Sequence, residues 1–124
     1  VNTGVVKMTV MQFYSSVGGD YYDAVDRLRN DRMILKFLKM LANDKSLVKL
    51  HEAMDKGDCM EAFCAIHTLK GMALNLSLTE LSHFCCSLTE LFRGANTIAE
   101  ESYELVAKLD VIYEHTISLL DELE

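Results

Sequence analysis

The stretch that decides the fold is Ala62–Ser77, AFCAIHTLKGMALNLS, near the middle of the 124-residue chain. Its apolar residues recur at alternating spacings of four and three, which is the pattern of an amphipathic helix with one buried face. This row consists of Ala62, Ile66, Leu69, Ala73 and Leu76. We therefore expect a helix over residues 58–76 that presents the row to a hydrophobic core.

A second row of the same helix carries the residues with functional interest. Neighbouring positions of a helix differ by ~100°, so His67 lies beside the buried stripe and not within it. Lys70 follows three residues later, at a spacing where helical side chains are neighbours. Gly71 stands in the middle of the helix, where glycine costs roughly 1 kcal/mol relative to alanine. This cost suggests that the site requires a position without a side chain.

Composition favours a single all-α domain over residues 1–124. The chain has no proline and six glycines, and 50% of its residues are hydrophobic, which is enough for a core. The net charge of −7 argues against a nucleic-acid partner, which would need clustered Lys and Arg. No apolar run reaches the ~20 residues of a membrane span, and no signal-peptide pattern opens the chain. We expect a cytoplasmic protein with reduced cysteines and no membrane partner.

The N-terminal part predicts short helices ahead of the main pattern. Residues 1–8 have no clear periodicity, so we expect a flexible tail. A short helix over residues 9–16 is followed by Asp20, a suitable N-cap for the next helix. The apolar pattern that comes afterwards is interrupted at Asn43-Asp44, which leaves open one bent helix or two.

The later helix starts share the spacing of a capping box, in which an N-cap oxygen and a glutamate three residues on satisfy free backbone N–H groups. These pairs are Asp58 with Glu61, Ser77 with Glu80, and Thr97 with Glu100. The last two predict helices over residues 78–93 and 98–123. Because short connections make consecutive helices antiparallel, we predict an antiparallel four-helix bundle with one or two short additional N-terminal helices.

The pentapeptide His67-Thr68-Leu69-Lys70-Gly71 resembles the H-x-x-K-G motif of histidine phosphotransfer (HPt) domains in two-component phosphorelays. In that family the motif lies on the second helix of an antiparallel four-helix bundle. The resemblance implies that His67 takes up a phosphoryl group and exchanges it with an aspartate of a response-regulator receiver domain. It also implies that Lys70 offsets the phosphoryl charge and that Gly71 leaves a gap for the partner.

Two positions depart from the family pattern. Family members often carry glycine where Ser77 stands, although Ser77 can serve as an N-cap. Several relatives have a glutamine at the position of Thr89 that orients the histidine, and Thr89 is shorter. This leaves open whether Thr89, a water or Glu90 orients His67. We expect the partner surface to include Cys64, Met72, Leu74, Thr89 and Glu90.

The expected chemistry needs few groups from this chain, since phosphoryl transfer depends mainly on positioning and charge neutralisation. No Asp or Glu cluster surrounds His67 in the sequence, so we expect no cofactor here and Mg²⁺ in the partner receiver domain. We expect no ATP-dependent kinase activity, because no nucleotide-binding segment is present. The expected partners are receiver domains and a histidine kinase or hybrid kinase, bound by a monomer.

Two alternatives belong to other classes. The chain could be the phosphotransfer domain of a larger histidine kinase, or a non-catalytic helical bundle that binds a receiver or a metal. The candidate metal ligands would be Cys64, His67, His83, Cys85 and Cys86. Their spacing matches none of the common structural zinc patterns, so we expect no metal site.

Overall fold

A computed structural model describes residues 7–123 of the chain. Within this range lie seven α-helices, followed by a short 3₁₀ helix over Leu120–Glu122. The α-helices are α1 Val10–Ser16, α2 Tyr21–Leu28, α3 Asp31–Asn43, α4 Ser46–Asp55, α5 Cys59–Asn75, α6 Thr79–Phe92 and α7 Glu100–Ser118. The predicted all-α class is confirmed.

The last four helices form the bundle, with the short α1 and α2 added at the N-terminus. Helix α5 packs against α4 and α6, and α6 packs against α7. The bundle is closed by His51 of α4, whose Nε2 lies 2.8 Å from Oδ1 of Asp110 in α7. Helix α3 is also joined to α7, because the Tyr113 hydroxyl donates to the Leu41 carbonyl at 3.0 Å. Helix α3 therefore extends the side of the bundle that α4 forms.

The interruption at Asn43-Asp44 separates α3 and α4 into two helices. Asp44 has an extended backbone, with φ −73° and ψ 147°, so it ends α3. Its carboxylate accepts the backbone N–H of Ser46 at 2.8 Å and thereby satisfies one of the free donors of α4.

The core is built on the apolar row of α5. Each of its five members is at most 1% exposed. Buried leucines of the surrounding helices complete the same cluster, among them Leu41, Leu50, Leu81, Leu88 and Leu109. The predicted row is therefore confirmed, and its burial fixes which face α5 turns to solvent.

Of the capping box predicted for α5 only the N-cap half is present, and the caps predicted for α6 and α7 are wrong. Asp58 accepts the backbone N–H of Glu61 at 3.0 Å, as an N-cap does. Helix α6 instead begins after Leu78 and α7 after Ala99, and neither residue makes a side-chain cap. Thr97 lies outside the helix that it was expected to cap.

Ser77 has a different role from the predicted one. Its φ of 54° lies in the left-handed region, which glycine adopts more readily than other residues. Its hydroxyl donates to Oδ2 of Asp23 at 2.6 Å, and this bond, followed by the one from Arg27, holds the pKa of Asp23 below its usual value. Because the Gly18 carbonyl accepts the N–H of Glu80 at 3.0 Å, α6 begins without a side-chain cap.

The two ends of the described range meet. Met8 N–H donates to the Glu122 carbonyl at 2.6 Å and pairs with Leu123 in a single parallel bridge. Residue 8 is thus anchored, whereas a flexible tail was predicted over residues 1–8. Residues 1–6 of that predicted tail lie outside the described range. The predicted helix over 98–123 is also too long, since α7 ends at Ser118 and the 3₁₀ turn follows.

Candidate functional site

The imidazole of His67 lies on the solvent-exposed face of α5. Its neighbour Ile66 is fully buried, and the ~100° step between them turns His67 outward. Along the same face, Met60 is 76% exposed and Leu74 is 43% exposed. A partner can therefore approach His67 along most of the length of the helix.

The side of this face next to Gly71 is open. A Cβ built at Gly71 would have no heavy atom within 4 Å, apart from the neighbouring helix backbone. Glycine is thus not required here by packing within this chain. Beside it, the half-buried Lys70 has its charge close enough to Glu90 of α6 to contribute to the lowered pKa of that carboxyl group.

An aromatic and cationic cluster adjoins His67 that the sequence analysis did not identify. The rings of Phe63 and His67 are nearly parallel, with an interplanar angle of 13° and a centroid separation of 5.7 Å. The guanidinium carbon of Arg93 lies 5.1 Å from the Phe63 centroid. Arg93 in turn donates to the Glu90 carboxylate at 3.0 and 3.3 Å, and these bonds are the main cause of the lowered pKa of Glu90.

The residues that were predicted to form the partner surface differ in their exposure and surroundings. Met72 lines a shallow apolar depression together with Gly71 and two residues of α3, Phe37 and Met40. Cys64, Leu74 and Glu90 are exposed, as a partner surface requires. Phe37 and Met40 could not be placed here from the sequence, because nothing local indicates that α3 lies beside this part of α5.

Thr89 does not belong to this surface. It is fully buried, and its hydroxyl donates to the Cys85 carbonyl at 2.7 Å, within its own helix. Its expected place on the partner surface was wrong. Within residues 7–123, no hydrogen bond joins His67 to Thr89 or to Glu90.

The cysteines and the remaining histidines do not converge on a metal site. Cys59 and Cys85 are buried, whereas Cys64 is exposed and Cys86 is half-buried. In the part of the chain that the structure describes, no group of three or more His, Cys, Asp or Glu side chains could hold a metal ion. Over the same residues, none of the helices has both the length and the apolar character needed to cross a bilayer.

Comparison with known proteins identifies the family. The model of the Hpt domain family matches residues 32–124, which comprise well over half of the chain and include α4–α7. No curated protein and no solved structure matches the chain. The family match, the helical bundle and the exposed His67 beside Lys70 and Gly71 agree with one another. The chain therefore belongs to the Hpt domain family, whose general function is histidine phosphotransfer in phosphorelays.

Proposed function

We propose that this protein is a phosphorelay carrier, which receives a phosphoryl group on His67 from one receiver domain and passes it to another. The observation that carries the proposal is the exposed imidazole on a helix whose opposite face is fully buried. This arrangement holds a nucleophile rigidly on an accessible surface, as transfer between two proteins requires. The partners are receiver domains and the kinase that supplies them.

The transfer step needs one nitrogen of His67. Its lone pair attacks the phosphorus of an aspartyl phosphate in the receiver, and a nitrogen–phosphorus bond forms as the bond from phosphorus to the aspartate oxygen breaks. The aspartate leaves as a carboxylate. The reverse step returns the phosphoryl group to a receiver aspartate. From this chain the reaction requires a free ring nitrogen and a nearby positive charge.

The positive charge comes from Lys70, three residues after His67 on the same helix. The phosphoryl group brings negative charge to a protein whose formal net charge is already −7. Distant charges are screened beyond ~8–10 Å at physiological salt, so the adjacent ammonium group outweighs the overall acidity. Lys70 therefore offsets the charge of the bound phosphoryl group, while the receiver contributes Mg²⁺ and its own carboxylates.

The proposal is tested by mixing the protein with a phosphorylated receiver domain and measuring intact masses over time. Wild type should gain one phosphoryl group that is labile in acid and stable in base, as expected for a phosphoramidate. His67→Gln should gain none while keeping its helicity and melting temperature, since the ring lies outside the core. The matched control is His83→Gln, which replaces another exposed histidine, on α6.

Two results would contradict the proposal. Transfer that persists in His67→Gln would show that another residue accepts the phosphoryl group. Tight binding of the phosphorylated receiver without any mass gain in wild type would favour a non-catalytic receiver-binding bundle.

A further inference from the structure

All four histidines of the chain lie within the described residues, and the ring of His67 is held differently from those of His51 and His115. His51 and His115 each place Nε2 within hydrogen-bond distance of an oxygen, at 2.8 Å from Asp110 and 3.2 Å from the Ser16 carbonyl. Within residues 7–123, the ring nitrogens of His67 have no such bond. The contact that restrains this ring is instead its stack on Phe63.

Phe63 is placed to support such a stack. It lies four residues before His67, at the spacing where helical side chains meet, and it is partly buried against the core. Its ring also lies 5.1 Å from the guanidinium of Arg93, a favourable cation–π distance. Because Arg93 is held by the Glu90 carboxylate at 3.0 Å, the support is attached to both α5 and the end of α6.

On the basis of the proposed function, we propose that Phe63 is a positioning residue for phosphotransfer, whose stacked ring fixes the imidazole of His67 while leaving both ring nitrogens free. The lone pair and the N–H of an imidazole lie in the ring plane, so a parallel stack restricts rotation without occupying either nitrogen. A hydrogen bond such as those of His51 and His115 would occupy one of them. Fixing the ring raises the fraction of encounters in which the nitrogen faces the phosphorus.

The test compares three substitutions. Phe63→Leu keeps an apolar side chain but removes the ring, and Phe63→Tyr restores the ring. The matched control is Phe84→Leu. Phe84 is also half-buried, and its ring centroid lies 5.3 Å from that of a histidine, His83. Unlike Phe63, it lines a groove with α7. Aromatic stacks of this kind change a conformer population by roughly two- to tenfold. We expect a loss of that size in the transfer rate of Phe63→Leu, and near wild-type rates for Phe63→Tyr and Phe84→Leu.

A second readout does not depend on transfer. The proton resonances of the His67 ring should carry a ring-current shift from Phe63 in the unphosphorylated protein. The shift should be lost in Phe63→Leu and kept in Phe63→Tyr and Phe84→Leu, and thermal melts of every variant would establish that it is folded.

Several outcomes would overturn the inference. A wild-type rate in Phe63→Leu would show that the ring does not matter. A Phe63→Tyr variant slowed as much as Phe63→Leu would show the same. His67 resonances that Phe63→Leu leaves unchanged would show that the stack is absent in solution. A wild-type protein that takes no phosphoryl group overturns the proposed function together with this inference, whereas normal wild-type transfer with an unaffected Phe63→Leu overturns the inference alone.

Discussion

Replacement of Gly71 should make the protein more stable, and a long replacement should make it slower. A Cβ at this position meets no heavy atom outside the nearby helix backbone within 4 Å, so Gly71→Ala adds no clash. Alanine exceeds glycine in helix propensity by about 0.8–1 kcal/mol in an exposed helix interior. We expect Gly71→Ala to raise the free energy of unfolding by about this amount, which corresponds to a rise of roughly 3–5 °C in melting temperature.

Gly57 provides the matched control. A Cβ at Gly57 also meets no heavy atom within 4 Å, but the φ of this residue is +69°. A side chain in the left-handed region costs roughly 1–2 kcal/mol, so Gly57→Ala should lower the free energy of unfolding. The two substitutions therefore have equal space and opposite predicted signs. Denaturant unfolding of both variants measures the difference, and a destabilised Gly71→Ala would refute the reasoning from propensity and open space.

A second substitution, Gly71→Gln, tests whether Gly71 leaves space for the receiver. Glutamine has a helix propensity close to that of alanine, so this variant should be as stable as Gly71→Ala. Its side chain extends into the space through which a receiver would approach His67, and we expect transfer from a phosphorylated receiver to slow. The time course of transfer is measured for Gly71→Ala and Gly71→Gln alongside wild type. A wild-type rate in Gly71→Gln would refute the role of Gly71 as a gap for the partner.

Two further predictions concern Lys70 and the cysteines. Lys70→Ala should slow transfer and shift the phosphoryl equilibrium toward the receiver, whereas Lys70→Arg should retain much of both; the free energy of unfolding should change by at most a few tenths of a kcal/mol. Time courses with equal rates and end-points for all three proteins would contradict this role. Burial raises the pKa of the Cys85 thiol to about 12, so at pH 8 iodoacetamide should modify the exposed Cys64 and spare Cys85 in the folded protein. Peptide mass spectrometry locates the label, and rapid labelling of Cys85 would contradict its burial.

The parts of the fold that were predictable are those that depend on local sequence. The row from Ala62 to Leu76 has a clear helical period, and its burial determines that His67 faces solvent. Asp58 caps α5 through a bond to a residue three positions away, which is within reach of sequence reasoning. The burial of Thr89 could also have been inferred from the sequence. Thr89 lies four residues after Cys85 and three before Phe92, a helical spacing that places all three on one face of α6, and all three are buried.

The parts that were not predictable depend on residues far apart in the chain. Ser77 has the sequence of an N-cap, but a left-handed backbone and the distant Asp23 give its hydroxyl another partner. The contact of Phe63 with Arg93 joins residues 30 positions apart on different helices. The first half of that cluster, Phe63 beside His67, could have been inferred from the four-residue spacing alone.

The charges beside His67 also bear on why such a site can both take up and release a phosphoryl group. A carrier must leave neither state strongly favoured, since a site with several free cations would retain the phosphoryl group. Here Arg93 is already bonded to Glu90, and the charge of Lys70 acts on the same carboxylate. On the proposed function, a phosphoryl group on His67 shares the positive charge of Lys70 with the Glu90 carboxylate. The gain in charge neutralisation is reduced accordingly, and phosphoryl exchange with a receiver aspartate can remain reversible.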